Sequence, residues 1–137
     1  MAFTVRRIDY FYIMIEDTPE VGYQVLSQLS EQDVNLVAIT AVPFGPARTQ
    51  LTVFPHDTGQ LKRVTEQANI AVDGPHPALV VQGDDEVGAL AQIHEKLRDA
   101  NVQVFASTGV ADGRDGYGYI IYVRPDQHER AAEALGA

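Results

Sequence analysis

At 137 residues, with 45% apolar residues and a formal net charge of −9 from 10 Lys and Arg against 19 Asp and Glu, the chain reads as one ordinary domain or two very small ones. The acidic balance argues against nucleic acid and against an anionic membrane as partner, because both select basic surfaces. With no cysteine, disulfides, thiol nucleophiles and thiolate metal sites are excluded.

The first predicted element is a strand over the apolar run "YFYIMI" (10–15). That run is too short for a signal peptide or a membrane span, so a cytoplasmic protein is expected. It stops on "EDTPEV" (16–21), where Thr18 suits a helix N-cap, Pro19 the first helical position and Glu20 the positive end of the helix dipole. The helix that follows sets Val21, Val25 and Leu29 on one face. A strand over Leu36–Val42, the Gly-containing hairpin loop "PFGPAR" (43–48) and a strand over Gln50–Phe54 come next. A second helix, near 58–68, leads into a short strand "NIAV" (69–72) and the loop "DGPHP" (73–77).

The same order then returns. Leu79–Val81 is a strand, and "DDEVG" (84–88) is an acidic turn. Leu90, Ile93 and Leu97 mark a helix face, and Val104–Val110 a strand. The loop "ADGRDGYG" (111–118) reads as longer than its first counterpart; Tyr119–Val123 is a strand, and a helix over 126–135 closes the chain. At an offset of 68 residues Asp17 falls on Asp85, Val25 on Ile93, Leu29 on Leu97, Val34 on Val102 and Leu36 on Val104. Agreement across strand, turn, helix and strand marks an internal repeat. Each copy runs β-α-β-β-α-β, the split ferredoxin-like motif, so the expected class is α+β with antiparallel sheets. The first repeat is assigned to 7–73 and the second to 78–137. The second lacks its fourth strand, and residues 2–6 are expected to supply it. The third strands are apolar on both faces, with Tyr119, Ile121 and Val123 on one side and Ile120 and Tyr122 on the other. Both faces should therefore be buried, one against helices and one against the other copy or a second chain.

These residues resemble the ACT domains, small regulatory modules that bind amino acids. Their signature runs D-x-P-G-x-L-x-x-I-x-x-x-L-x-x-x-G-I-N-I. Copy one offers Asp17, Pro19, Val25, Leu29, Val34, Asn35 and Leu36 at those positions; copy two offers Asp85, Gly88, Leu90, Ile93, Leu97, Val102 and Val104. The resemblance covers nearly the whole chain as a tandem pair. It departs at Glu20, which stands where the family has Gly, at Asp33 and Asn101, which replace a Gly, and at Gln103, which replaces the Asn.

The resemblance implies a ligand held where two such domains meet, by the strand–helix turn and the polar residue opening the second strand. Carried over, these are Asp17, Thr18, Pro19 and Glu20 with Asn35, and Asp85, Glu86, Val87 and Gly88 with Gln103. Chemistry supports such turns independently: helix N-termini present N–H groups to a carboxylate, and Asp17 or Asp85 can meet an ammonium. The plainer alternative is that Thr18 and Asp85 only cap helices and Asn35 only shapes a turn. The implied protein is non-enzymatic, forms a homodimer and reports an amino acid or related small metabolite to a partner, such as a regulated enzyme; the residues themselves lead to the expectation of no cofactor or metal.

Two other readings stand beside it. One is a ligand-free interaction module that pairs through its sheets. The other is a metal-dependent vicinal-oxygen-chelate enzyme, disfavoured because a helix-like segment follows the third strand in both copies. His56, His76, His94 and His128 share no ligand spacing, and Ser107 and Thr108 lack a partnering base. The Tyr-rich strands read as sheet packing.

Overall fold

The computed structural model describes residues 3–137. Its elements in chain order are β1 (Phe3–Glu16), α1 (Pro19–Glu31), β2 (Leu36–Pro43), β3 (Arg48–Pro55), α2 (Thr58–Gln67), β4 (Asp73–Asp84), α3 (Ala89–Asp99), β5 (Ala106–Ala111), β6 (Gly116–Tyr122), a 3-10 turn (Pro125–Gln127) and α4 (His128–Leu135). The fold is α+β with antiparallel strand pairs. The chain divides into two compact units, one of Asp9–His76 and one of residues 3–8 together with 77–137. The breaks after Ile8 and after His76 are themselves 68 residues apart.

In the unit Asp9–His76 the strand order is β2-β3-β1. Thr18 starts α1: its side chain accepts from the Val21 N–H at 3.3 Å, and Pro19 opens the helix. Val25 and Leu29, one turn apart, bury that helix against Phe11, Ile13, Leu51 and Val53. The helix ends through Asp33 at φ 58, with the Val34 N–H donating to the Leu29 carbonyl at 2.9 Å. This is a Schellman-type stop in which Asp stands in for the usual Gly. Replacing the cap (Thr18→Ala) is expected to cost about 1 kcal/mol by thermal denaturation.

In the other unit the order is β1-β4-β6-β5, with β1 contributing its leading residues. The core sets Ile93 and Leu97 of α3 and Ala131, Ala132 and Leu135 of α4 against Leu79, Val81, Tyr119 and Ile121. Phe3 and Val5 pack against this core half-buried, whereas Thr4 and Arg6 are exposed, the period-two pattern of a strand. Asn101, at φ 57, repeats the stop of Asp33, with the Val102 N–H on the Leu97 carbonyl at 2.9 Å. On the sheet face away from this cluster, Val80, Ile120 and Tyr122 are also buried within the single chain.

Register is conserved between the units. Phe11 faces Val53 and Ile39 faces Val53 in one; Leu79 faces Ile121 and Ser107 faces Ile121 in the other. Each pairing recurs 68 residues on, as do the hydrogen bonds Asp17 N–H to Ala47 (2.9 Å) and Asp85 N–H to Asp115 (2.8 Å).

Several expectations need correction. Residues 3–6 and 10–15 are one continuous strand; Ala2, also assigned to it, lies outside the described residues. "NIAV" (69–72) is irregular, with Ile70 and Val72 packed on the first core, and the strand begins where "DGPHP" promised a loop. Pro75 and Pro77 are tolerated there because β4 pairs with β6 only from Leu79 onward. The second hairpin is not longer than the first: Tyr117 and Gly118 belong to β6, and the connections 43–48 and 111–116 match in length. The second strand of the later copy starts at Ala106 rather than Val104. In α3 it is Ala89, not Leu90, that buries with Ile93 and Leu97, because 89, 93 and 97 repeat at i, i+4, i+8.

Candidate binding cavity in the C-terminal unit

The two strand–helix turns share their hairpin-anchoring hydrogen bond yet end differently. After Asp17, Thr18 caps α1, and the Glu20 carboxylate accepts from the Gln24 side chain at 3.0 Å. After Asp85, no side chain caps the next helix, so Asp85 is not the cap that the sequence allowed. Gly88 occupies the N-cap of α3 at φ 87, a left-handed conformation natural for Gly. Ala89 donates to the Glu86 carbonyl at 3.1 Å and Gln92 to the Gly88 carbonyl at 3.1 Å. The helix N-terminus is therefore bare of side-chain oxygen at Leu90 and Ala91.

This bare end opens on a cavity of about 560 Å³. Asp85, Glu86, Gly88, Ala89, Leu90 and Ala91 form one wall, Gly109, Val110 and Ala111 of β5 another, and Tyr117 and Gly118 of β6 the rest. The lining offers two carboxylates, helix N–H groups, small apolar surfaces and a phenol, with no cationic side chain. Tyr117 is 8% exposed, and its hydroxyl is buried with no hydrogen-bond partner. Burial pushes its pKa above the usual tyrosine value, and the nearby Asp84 and Glu86 carboxylates push the same way, so the phenol remains a proton donor.

Of the residues named from the sequence, Asp85, Glu86 and Gly88 line this cavity. Val87 is not among the lining residues and is fully exposed at 104%. Gln103 lines an adjoining cavity of about 820 Å³ that shares Ala91 with the first and is also lined by His94, Arg98, Asn101 and Gln127, and its N–H donates to the Gln127 side chain at 3.3 Å. Asn35 lines a smaller hollow of about 310 Å³ with Leu26, Ser30 and Asp33, and its carbonyl accepts from the His56 N–H at 2.9 Å. Those two hollows occupy equivalent places in the two units, since Leu26, Ser30, Asp33 and Asn35 match His94, Arg98, Asn101 and Gln103 at the repeat offset. Neither contains any residue of its own strand–helix turn.

Sequence reasoning missed Tyr117, taking it as part of a hairpin loop. It also missed a chain of hydrogen bonds from His94 Nε2 to the Tyr119 hydroxyl (2.6 Å) and on to Ser107 Oγ (2.9 Å). The repeat itself carried the signal, because the first copy has Leu26, Leu51 and Ile39 at those three positions. Gly109 makes room for the Tyr119 ring: a Cβ there would sit 2.9 Å from Tyr119 Cδ1. Among the described residues no cluster of His, Asp or Glu could hold a metal ion, and no helix is long and apolar enough to cross a membrane.

No family model matches the sequence, and no curated protein matches it. Solved structures do. A Bacteroides thetaiotaomicron protein superposes with TM-score 0.79 at 15% identity, covering 94% of this chain and 88% of that one. The ligand-free regulatory subunit of aspartate kinase from Thermus thermophilus gives 0.64 at 15% identity, over 97% and 93% of the two chains. A structure of aspartokinase α and β subunits gives 0.63 at 16% identity, over 98% and 95%. At these identities the likeness is one of fold, and the fold is ACT-like.

Proposed function

We propose that this chain is a non-enzymatic, cytoplasmic regulatory protein, a tandem pair of ACT domains that binds an amino acid or a related zwitterionic metabolite. The site is the cavity beneath Asp85–Ala91. The observation behind it is the uncapped α3 N-terminus on left-handed Gly88, which lines the same cavity as Asp85 and Glu86. Helix N–H groups suit a carboxylate, and the two acids suit an ammonium. The turn Asp17–Glu20 is the lesser site, since the Thr18 side chain already takes the Val21 N–H in the first turn of α1. Asn35 and Gln103 line separate hollows, so their part in binding requires a second copy. Self-association as a homodimer is supported by β5, an edge strand exposed at all six residues and flanked by Phe105 at 58% exposure. Output would then pass to a regulated enzyme through that association. The regulatory aspartate kinase structures favour such a role at the level of fold.

A thermal-shift screen of the twenty amino acids tests the reading. At a hundredfold excess over Kd a bound ligand stabilises by about 2.7 kcal/mol. Ala91→Tyr places in the cavity wall the residue that the first repeat carries at the equivalent position, Tyr23, which is 69% exposed there. Because Ala91 is itself an exposed helix residue, that variant should fold normally and lose the shift. An unresponsive wild-type protein, or an equal shift in Ala91→Tyr, contradicts the proposal.

A further inference from the structure

A buried hydroxyl without a partner is costly, because it has left water and gained nothing in return. Among the described residues the buried side-chain polar atoms in that state include the Tyr117 hydroxyl, in a side chain that is 8% exposed and lines the cavity under the α3 N-terminus. The first repeat carries Thr49 at the equivalent position, so nothing in the fold demands a phenol there. A second observation concerns charge. The cavity is lined by Asp85 and Glu86 with no cation to offset them, so a ligand carrying only negative charge is repelled. The rest of the lining carries no charged side chain and includes the apolar Leu90 and Val110.

We infer that Tyr117 is a ligand-binding residue of this cavity, donating its hydroxyl to the carboxylate of an α-amino acid with an aliphatic side chain. The inference rests on the proposed reading of the cavity and deepens it. The carboxylate takes the Tyr117 hydroxyl and the N–H groups of the first α3 turn. The ammonium faces Asp85 and Glu86, and the aliphatic side chain lies against Leu90 and Val110. The hydroxyl has almost no exposed surface in the free protein, so binding must uncover it. The phenol donates throughout the neutral range, so its contribution does not titrate there.

The test is Tyr117→Phe, which removes the one oxygen and keeps the ring. Wild type and variant are titrated calorimetrically with each of the twenty amino acids and with the deaminated keto acids of valine, leucine and isoleucine. Aliphatic amino acids should bind the wild type, and their keto acids should not. The variant should melt no lower than wild type, having lost an unsatisfied group, and bind roughly tenfold more weakly. If the wild type binds aliphatic amino acids and the variant binds them equally well, the hydroxyl is idle and this inference falls while the cavity reading stands. Binding confined to charged or polar amino acids, or binding of the keto acids, overturns the aliphatic zwitterion assignment. If the wild type binds none of the panel, the cavity reading fails and takes the inference with it.

Discussion

Deleting residues 1–6 is expected to loosen the unit formed by the C-terminal residues more than the unit in which β1 continues. Phe3 and Val5 are half-buried against the core of Leu79, Ile93 and Ile121, far along the sequence. Losing two partly buried apolar side chains removes about 2–4 kcal/mol of burial. The deletion also strips β4 of its neighbour on that side, together with the Thr4 hydroxyl on the Gln82 carbonyl (3.4 Å) and the Arg6 contact to the Gln82 side chain (3.5 Å). Backbone groups of β4 would then lie at an edge. Arg7, which pairs with Glu129 at 2.9 Å, is retained, and being exposed it adds about 1 kcal/mol at most. Hydrogen exchange should show amides of Leu79–Gln82 losing protection. Loss confined to Tyr10–Ile15 would contradict this account of the first strand.

Gly74→Ala is the second change expected to have a large effect. Gly74 lies in β4 at φ 148, outside the range of L-residues with a side chain. A Cβ there would stand 2.8 Å from the Tyr10 carbonyl oxygen and 2.9 Å from Phe11 Cδ2. Both neighbours belong to the buried start of the first core, where Phe11 is 0% exposed, so neither can give way cheaply. Backbone strain and overpacking together should cost about 2–4 kcal/mol, a Tm drop on the order of 10 °C. Gly45→Ala serves as the control for a left-handed glycine alone: at φ 79 it pays the conformational term, but nothing lies within 4 Å of its Cβ. An unchanged Tm for Gly74→Ala would show that the strand can slide away from Tyr10.

What the sequence made legible follows from which forces act locally. Asp33 and Asn101 were readable as turn residues because Asp and Asn tolerate the left-handed conformation, and both adopt it. The core pairs Val25 with Ile93 and Leu29 with Leu97 were readable from helical spacing and from the repeat. "DGPHP" misled because Gly and Pro signal turns wherever the chain is free to choose, whereas here these residues open β4 with Gly74 close against Tyr10 and Phe11. Of the proposed site, Asp85, Glu86 and Gly88 could be read from the sequence, because helix-start chemistry is local. Its other wall was not. Gly109, Val110 and Tyr117 reach the turn through the pairing of β5 and β6, and Tyr117 lay hidden in an apparent loop. Conversely, Gln103 and Asn35 looked like partners of the turns by analogy, and in the single chain each lines a different hollow.

Entry of an amino acid into the cavity under the α3 N-terminus can be followed residue by residue. Two-dimensional amide NMR of the full chain, titrated with the amino acid that most raises Tm, tests it most directly. The saturating shifts should centre on the amides of Asp85–Ala91, Gly109–Ala111 and Tyr117–Gly118, while those of Asp17–Glu20 change little. Shifts centred on Asp17–Glu20, or on the hollow of His94, Arg98 and Gln103 with Asp85–Ala91 silent, would contradict it.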